Sequence, residues 1–192
     1  MSALLLRVSV RFARLFRCQR DGKSDGEIRP GVLENWSVDV CSVTHLGRFV
    51  LLSEEDSLFT FVISTGYRRS LPSVLETFYK RREELIRELG LSGLPPFSLT
   101  TSRFGKRVNP RIIGSQNDFI RLLGADLKDA RPPLEADRLQ WIEDSLNEAP
   151  MSYLEMNSPR LALLDLLDKD RNSPMGRTPE PFADLKMMED CE

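Results

Sequence analysis

Histidine is almost missing from this chain. His45 is the single imidazole in 192 residues, and the three cysteines, Cys18, Cys41 and Cys191, stand far apart with no Cys-x-x-Cys. Zinc ribbons and fingers need thiolates and imidazoles at short spacings, so that class is excluded; only an oxygen-ligated magnesium site stays open, no spacing specifically supports one, and no metal residue is assigned. An odd, scattered cysteine set gives no disulfide framework and fits a reducing cytoplasmic compartment. No apolar run approaches the roughly 18 residues of a membrane span, so no membrane partner is expected. Neither Gly-x-x-x-x-Gly-Lys nor Gly-x-Gly-x-x-Gly occurs, which removes the usual nucleotide loop and dinucleotide fingerprint. The net charge of -2 argues against a nucleic-acid footprint spread over the whole protein. No cofactor is implied.

Catalytic constellations are equally short of members. Cys41 and His45 lie four apart, so an extended chain separates their Cα atoms by about 13 Å, and they read as a buried cysteine and a turn histidine. Glu54-Glu55-Asp56 occupies a turn, and Asp165, Asp168 and Asp170 lie along a helix exit, where carboxylates are ordinarily solvated. Asp39 is different, because it falls inside an otherwise apolar strand. It must reach a sheet edge or find a partner such as an arginine.

What is present is a chain with 41% hydrophobic and 29% charged residues, enough to bury one core. Arg7, Arg11, Arg14, Arg17 and Arg20 in a stretch without acids superficially suggest a transit peptide, but Leu4-Leu5-Leu6 with Val8 and Val10 reads as a first strand. Phe12, Leu15 and Phe16 then fall at helical spacing, with Arg11, Arg14 and Arg17 toward solvent. Residues 19–30 hold glycines, serine and a proline and read as a loop. From Trp36 to Thr44 the pattern alternates, with Trp36, Val38 and Val40 on one face and Asp39, Cys41 and Val43 on the other. Phe49 to Leu52 and Leu58 to Ile63 are continuous apolar runs, so 36–64 reads as an antiparallel meander covered on both faces by helices.

The Ser70–Leu89 helix has a serine cap, Pro72 in its first turn and Gly90 at its end, with Leu71, Val74, Leu75, Phe78, Leu85, Ile86 and Leu89 as its apolar stripe. Phe97 to Thr101 reads as another strand before a basic loop. Ser115 is expected to cap a second helix, with Asp118 completing an approximate capping box and Phe119, Ile120, Leu123 and Leu127 buried. Further helices are expected from Leu134 to Leu146 and from Ser158-Pro159 through Leu167. Residues 171–192, rich in proline and acids, read as a flexible acidic tail in which Phe182, Leu185, Met187 and Met188 are the apolar exception. The fold class is therefore α+β with a mainly antiparallel sheet, in a single domain over 1–170.

The opening Leu4-Leu5-Leu6-Arg7, the Trp36-led meander, the long charged helix and the element Asn109-x-Arg111-x-x-Gly114-Ser115-x-Asn117-Asp118-Phe119 together carry a resemblance. Over residues 1–130 the chain resembles an uncharacterised family of bacterial, phage and plasmid domains of unknown function. The resemblance implies a prokaryotic or mobile-element origin and a compact α+β domain, with residues 131–170 as a helical extension. It carries no activity, cofactor or catalytic residue.

Arg103, Lys106, Arg107 and Arg111 lie within nine residues ahead of the expected helix, and Gly114, Ser115 and Asn117 would stand at its start. One reading is an anion or nucleic-acid site in which the helix amides meet a phosphate and Phe97 and Phe104 stack on bases. Asp118 in the first turn would oppose it. A third reading is a hydrolase or nuclease whose carboxylates converge only in the fold. The leading expectation is a non-catalytic module that binds another protein, without an assigned catalytic residue.

Overall fold

A computed structural model of the protein describes residues 4–20, 32–66, 70–91, 102–152 and 154–172. Strand β1, Leu4–Val8, is followed at once by helix α1, Val10–Phe16, because Ser9 ends the strand and accepts a hydrogen bond from the Phe12 amide as N-cap. Strands β2 (Asn35–Val43), β3 (Gly47–Glu54) and β4 (Thr60–Gly66) form the expected antiparallel meander. Helix α2 spans Leu71–Glu88, and β5 spans Ser102–Lys106. Helices α3 (Pro110–Asp126), α4 (Ala136–Glu148) and α5 (Pro159–Asn172) complete the order.

The sheet runs β4-β3-β2-β1-β5 and is mixed, which corrects the mainly antiparallel expectation. β1 is parallel to both of its neighbours, with Val8 opposite Val38 on one side and Lys106 on the other. The reason is connectivity: β1 returns to β2 through α1, and β5 arrives after α2, so each connection crosses the sheet and delivers its strand in the same direction. Strand β5 itself falls where a basic loop was expected. The strand expected over Phe97 to Thr101 lies outside the described residues, as does the tail from residue 173.

Alternation in β2 divides the interior as the sequence pattern required. Trp36, Val38 and Val40 join Leu4, Leu6 and Val8, Phe61 and Ile63, and Val74, Leu75 and Phe78 of α2 in one core, to which α5 adds Leu163 and Leu167. Trp36 stacks on Phe61 at 5.4 Å and meets Phe78 edge-on at 5.0 Å, contacts worth about 0.5–1.5 kcal/mol each beyond the area they bury. On the opposite face Cys41, Phe49, Leu51 and Val62 pack against Phe119, Leu123 and Leu127 of α3 and Ile142 and Leu146 of α4. Beyond Pro132, α5 and α4 are thus packed on the two faces of the same sheet.

Helix α3 begins six residues earlier than the sequence reading placed it, with its N-cap at Asn109 instead of Ser115. Asn109 caps it, accepting from the Arg111 amide at 3.1 Å, and Pro110 takes the first helical position. Gly114, Ser115 and Asn117 therefore lie inside the helix. Ser115 is buried and its hydroxyl donates to Arg111 O at 2.9 Å, while Asp118 is exposed and pairs with Arg121.

Candidate interaction surface

Every sheet has two edges, and here they differ. On β4 the outward peptide groups of Thr60 and Val62 are closed by side chains. Asn147 of α4 accepts from the Thr60 amide at 2.7 Å and donates to Thr60 O at 2.9 Å, a pair of bonds such as a neighbouring strand would make. Two residues on, the Val62 amide donates to Glu143 Oε2 at 2.6 Å and Val62 O accepts from Arg81 Nη1. Arg81 also grips both oxygens of Glu143. Burial raises the Glu143 carboxyl above its usual range, and the Arg81 guanidinium opposes that rise. Side chains at period 3.6 on a helix have replaced a strand at period 2.

The opposite edge is β5. Leu5 and Ser9 amides donate to Glu34 O and Val38 O, so the odd residues of β1 bond toward β2 and the even ones toward β5. With Leu6 opposite Phe104, parallel pairing joins Leu6 to Arg103 and Gly105 and turns the peptide groups of Phe104 and Lys106 outward. Among the described residues no strand lies beyond β5. Arg103 and Lys106 are exposed, and Val108 beyond the strand end is 65% exposed. No acidic residue interrupts the run from Ser102 to Val108.

The candidate cations do not share one surface. Arg103 and Arg107 belong to the sheet face covered by α3, Lys106 belongs to the α2 face, and Arg111 is exposed in the first turn of α3. Arg107 turns inward. Its Nη1 donates to Asp39 Oδ2 at 2.7 Å, and the two side chains are 9% and 7% exposed. Asp39 Oδ1 accepts from Ser9 Oγ at 2.6 Å and from the Val40 amide at 2.8 Å, so the carboxylate in the apolar strand has found both an arginine and neutral donors. Arg107 Nε and Nη2 are buried and have no hydrogen-bond partner among the described residues.

Several members of this polar layer carry no local sequence signal. Gln116, fully buried in α3, accepts from Ser37 Oγ at 3.2 Å and donates to Ser37 O and to Ser53 Oγ. Ser53 Oγ in turn lies 2.8 Å from Thr60 Oγ1, which reaches the β4 edge. Glu55 is buried, and its carboxyl is raised by that burial while Arg7 and Arg107 pull it down. Only contacts between distant segments define these roles.

Cys41 is buried, its thiol pushed up to about 11 by loss of solvent, and His45 is exposed in the β2 to β3 turn. Among the described residues no group of three or more His, Cys, Asp or Glu is placed to hold a metal ion, and no helix is long and apolar enough to cross a membrane. No protein-family model matches the chain, and no curated protein matches it.

Proposed function

We propose that this protein is a non-catalytic interaction module that receives an extended segment of another protein along β5. The supporting observation is the contrast between the two sheet edges. Asn147, Glu143 and Arg81 occupy the outward groups of Thr60 and Val62 on β4, whereas Phe104 and Lys106 turn theirs away from the sheet. An open edge is a template for strand addition, in which main-chain hydrogen bonds supply affinity and alternate side chains supply specificity. The cations that flank the edge also discourage pairing between two copies of this chain.

Lys106→Pro tests this directly. Lys106 is exposed, and proline at an edge position removes only an outward donor. The variant should keep its thermal stability and lose the partner that the wild type co-purifies from its native source, while Lys106→Gln keeps it. Equal retention of that partner by Lys106→Pro would overturn the reading.

A further inference from the structure

We infer that the end of the sheet where β1 and β5 finish binds the phosphate backbone of a nucleic acid, held by Arg11, Arg14 and Arg17 of α1 and by Lys106 and Arg111 on either side of the β5 exit. This goes beyond the strand-addition reading and does not depend on it.

Charge is divided unevenly along the chain. Residues 1–20 and 102–117 hold nine of the 27 Lys and Arg and none of the 29 Asp and Glu, although the whole protein carries a net charge of -2. The sheet brings these two segments together. β1 and β5 are parallel neighbours with Val8 opposite Lys106, so the residues that follow each strand leave from the same end. β2 is parallel to β1 and finishes at that end too, and its turn into β3, residues 42–48, also lacks an acid. Glu54, Glu55 and Asp56 stand at the opposite end, in the β3 to β4 turn. Asp39 is buried against Arg107, which withdraws both from this surface, and Asp118, the first acid after β5, pairs with Arg121.

Connectivity makes this end a switch point. The chain leaves β1 into α1 on the face of Trp36 and α2, where Phe12 is buried, and leaves β5 into α3 on the other face, where Phe119 and Leu123 are buried. Open sheets bind ligands outside the carboxyl ends of parallel strands whose connections part in this way. Arg11, Arg14, Arg17, Lys106 and Arg111 are all exposed, and neither helix has an acidic residue in its first turn. A single phosphate needs its cations to converge, whereas cations spread over two helices and a strand end fit a polymer with regularly repeated charge. Phe12, Phe16 and Phe104 pack into the core, and the exposed large hydrophobic side chains among the described residues of these segments are Val10 and Val108. That leaves no ring to stack on an unpaired base and little apolar surface to enter a bilayer. The contact is therefore with phosphates, of which a duplex offers the densest row.

The test uses the full chain and a labelled DNA duplex of about 20 base pairs, followed by fluorescence anisotropy from about 50 mM salt upward. The duplex should bind with a Kd of about 10 µM or tighter, and affinity should fall with salt along a log–log slope of about -3 to -4, as neutralising about four phosphates requires. Arg14→Gln with Arg17→Gln, and separately Lys106→Gln with Arg111→Gln, should each weaken binding about tenfold and reduce the slope by about 2. Lys80→Gln with Arg87→Gln, the same loss of charge at exposed positions of α2, should change affinity less than about twofold. An equal loss in the α2 pair would overturn the inference, because net charge and not this surface would then be responsible. Undetectable binding at about 0.1 mM protein overturns it as well. Tighter binding to phosphatidylserine vesicles than to the duplex would assign the surface to membranes, and equal affinity for poly-glutamate would assign it to acidic protein; either result sinks the nucleic-acid reading. The wild-type salt dependence needs no variant, and a slope shallower than about -1 is decisive against the inference even where a substituted protein fails to fold.

Discussion

Asn147 holds Thr60 by both ends of its peptide unit, accepting from the amide at 2.7 Å and donating to the carbonyl at 2.9 Å. A side-chain amide has the donor and acceptor of a backbone unit, so one helical residue closes one rung of a sheet edge. Asn147→Ala should cost roughly 2–4 kcal/mol in urea denaturation, because it strands a buried N–H and a buried C=O together. Asn147→Asp should not rescue it, since a carboxylate accepts from Thr60 N but opposes Thr60 O. The Ala variant should also self-associate as the edge opens, visible by light scattering. A stability loss below about 0.5 kcal/mol would mean that water serves Thr60 as well as Asn147 does.

The Asp39 and Arg107 pair separates two kinds of loss. Asp39→Ala leaves a buried guanidinium without its anion and should cost about 3–5 kcal/mol. Asp39→Ala with Arg107→Met removes both charges and should recover a large part of that cost. Chemical denaturation of the two single variants and the double one measures the coupling. Additive losses would show that the pair is electrostatically idle.

Glycine is required at Gly47 but merely convenient at Gly66. Gly47 has φ +96 and a Cβ there would lie 2.8 Å from the Gly66 carbonyl carbon, a backbone atom with little room to move. Gly66, at φ +55, has open space. Gly47→Ala should lower stability by on the order of 3 kcal/mol, adding a steric clash to the strained dihedral, and Gly66→Ala by about 1 kcal/mol from the dihedral alone. Thermal melts of the two variants check the ordering. The register shift between Arg48 and Phe49, where Arg48 faces Gly66 and Phe49 faces Ser64, lies beside this close approach.

Local rules were enough wherever one element decides its own pattern. The alternation from Trp36 to Val43 named both sheet faces, Ser70, Pro72 and Gly90 marked the bounds of α2 although the Ser70 hydroxyl makes no capping hydrogen bond, and Asp39 announced that it needed a partner. They failed where the decision is made elsewhere in the chain. Ser102 to Lys106 looks like a loop because its cations and Gly105 give no apolar alternation, and it becomes a strand only because β1 offers it a ladder. Ser115 looked like a cap because serine often is one, but Asn109 followed by Pro110 is the stronger signal and begins the helix earlier. Gln116, Glu143 and Asn147 are ordinary helix-surface residues in sequence. Packing against Ser37, Val62 and Thr60 is what makes them structural.

Glu54 makes stability depend on pH in a direction opposite to the common carboxylate. It is fully buried at the end of β3, where Oε2 accepts from the Asp56 and Ser57 amides and from Ser57 Oγ, at 3.0, 2.7 and 2.7 Å. Burial raises its carboxyl from 4.5 to about 7, outweighing those three donors, and Asp56 adds to the rise. An acid with a raised folded pKa binds its proton more tightly in the native state, so native stability falls as pH climbs from about 4.5 to about 7 and stays lower above that window. The shift corresponds to on the order of 3 kcal/mol. Glu54→Gln keeps an acceptor for Ser57 and has no proton to lose, so its stability should change less between about pH 5 and pH 8 than that of the wild type. Glu55 and Glu143, raised in the same direction, contribute to both proteins and cancel in the comparison. Urea denaturation of both proteins at the two pH values measures the difference. Parallel pH profiles would show that Glu54 stays ionised throughout, held by the turn amides in spite of its burial.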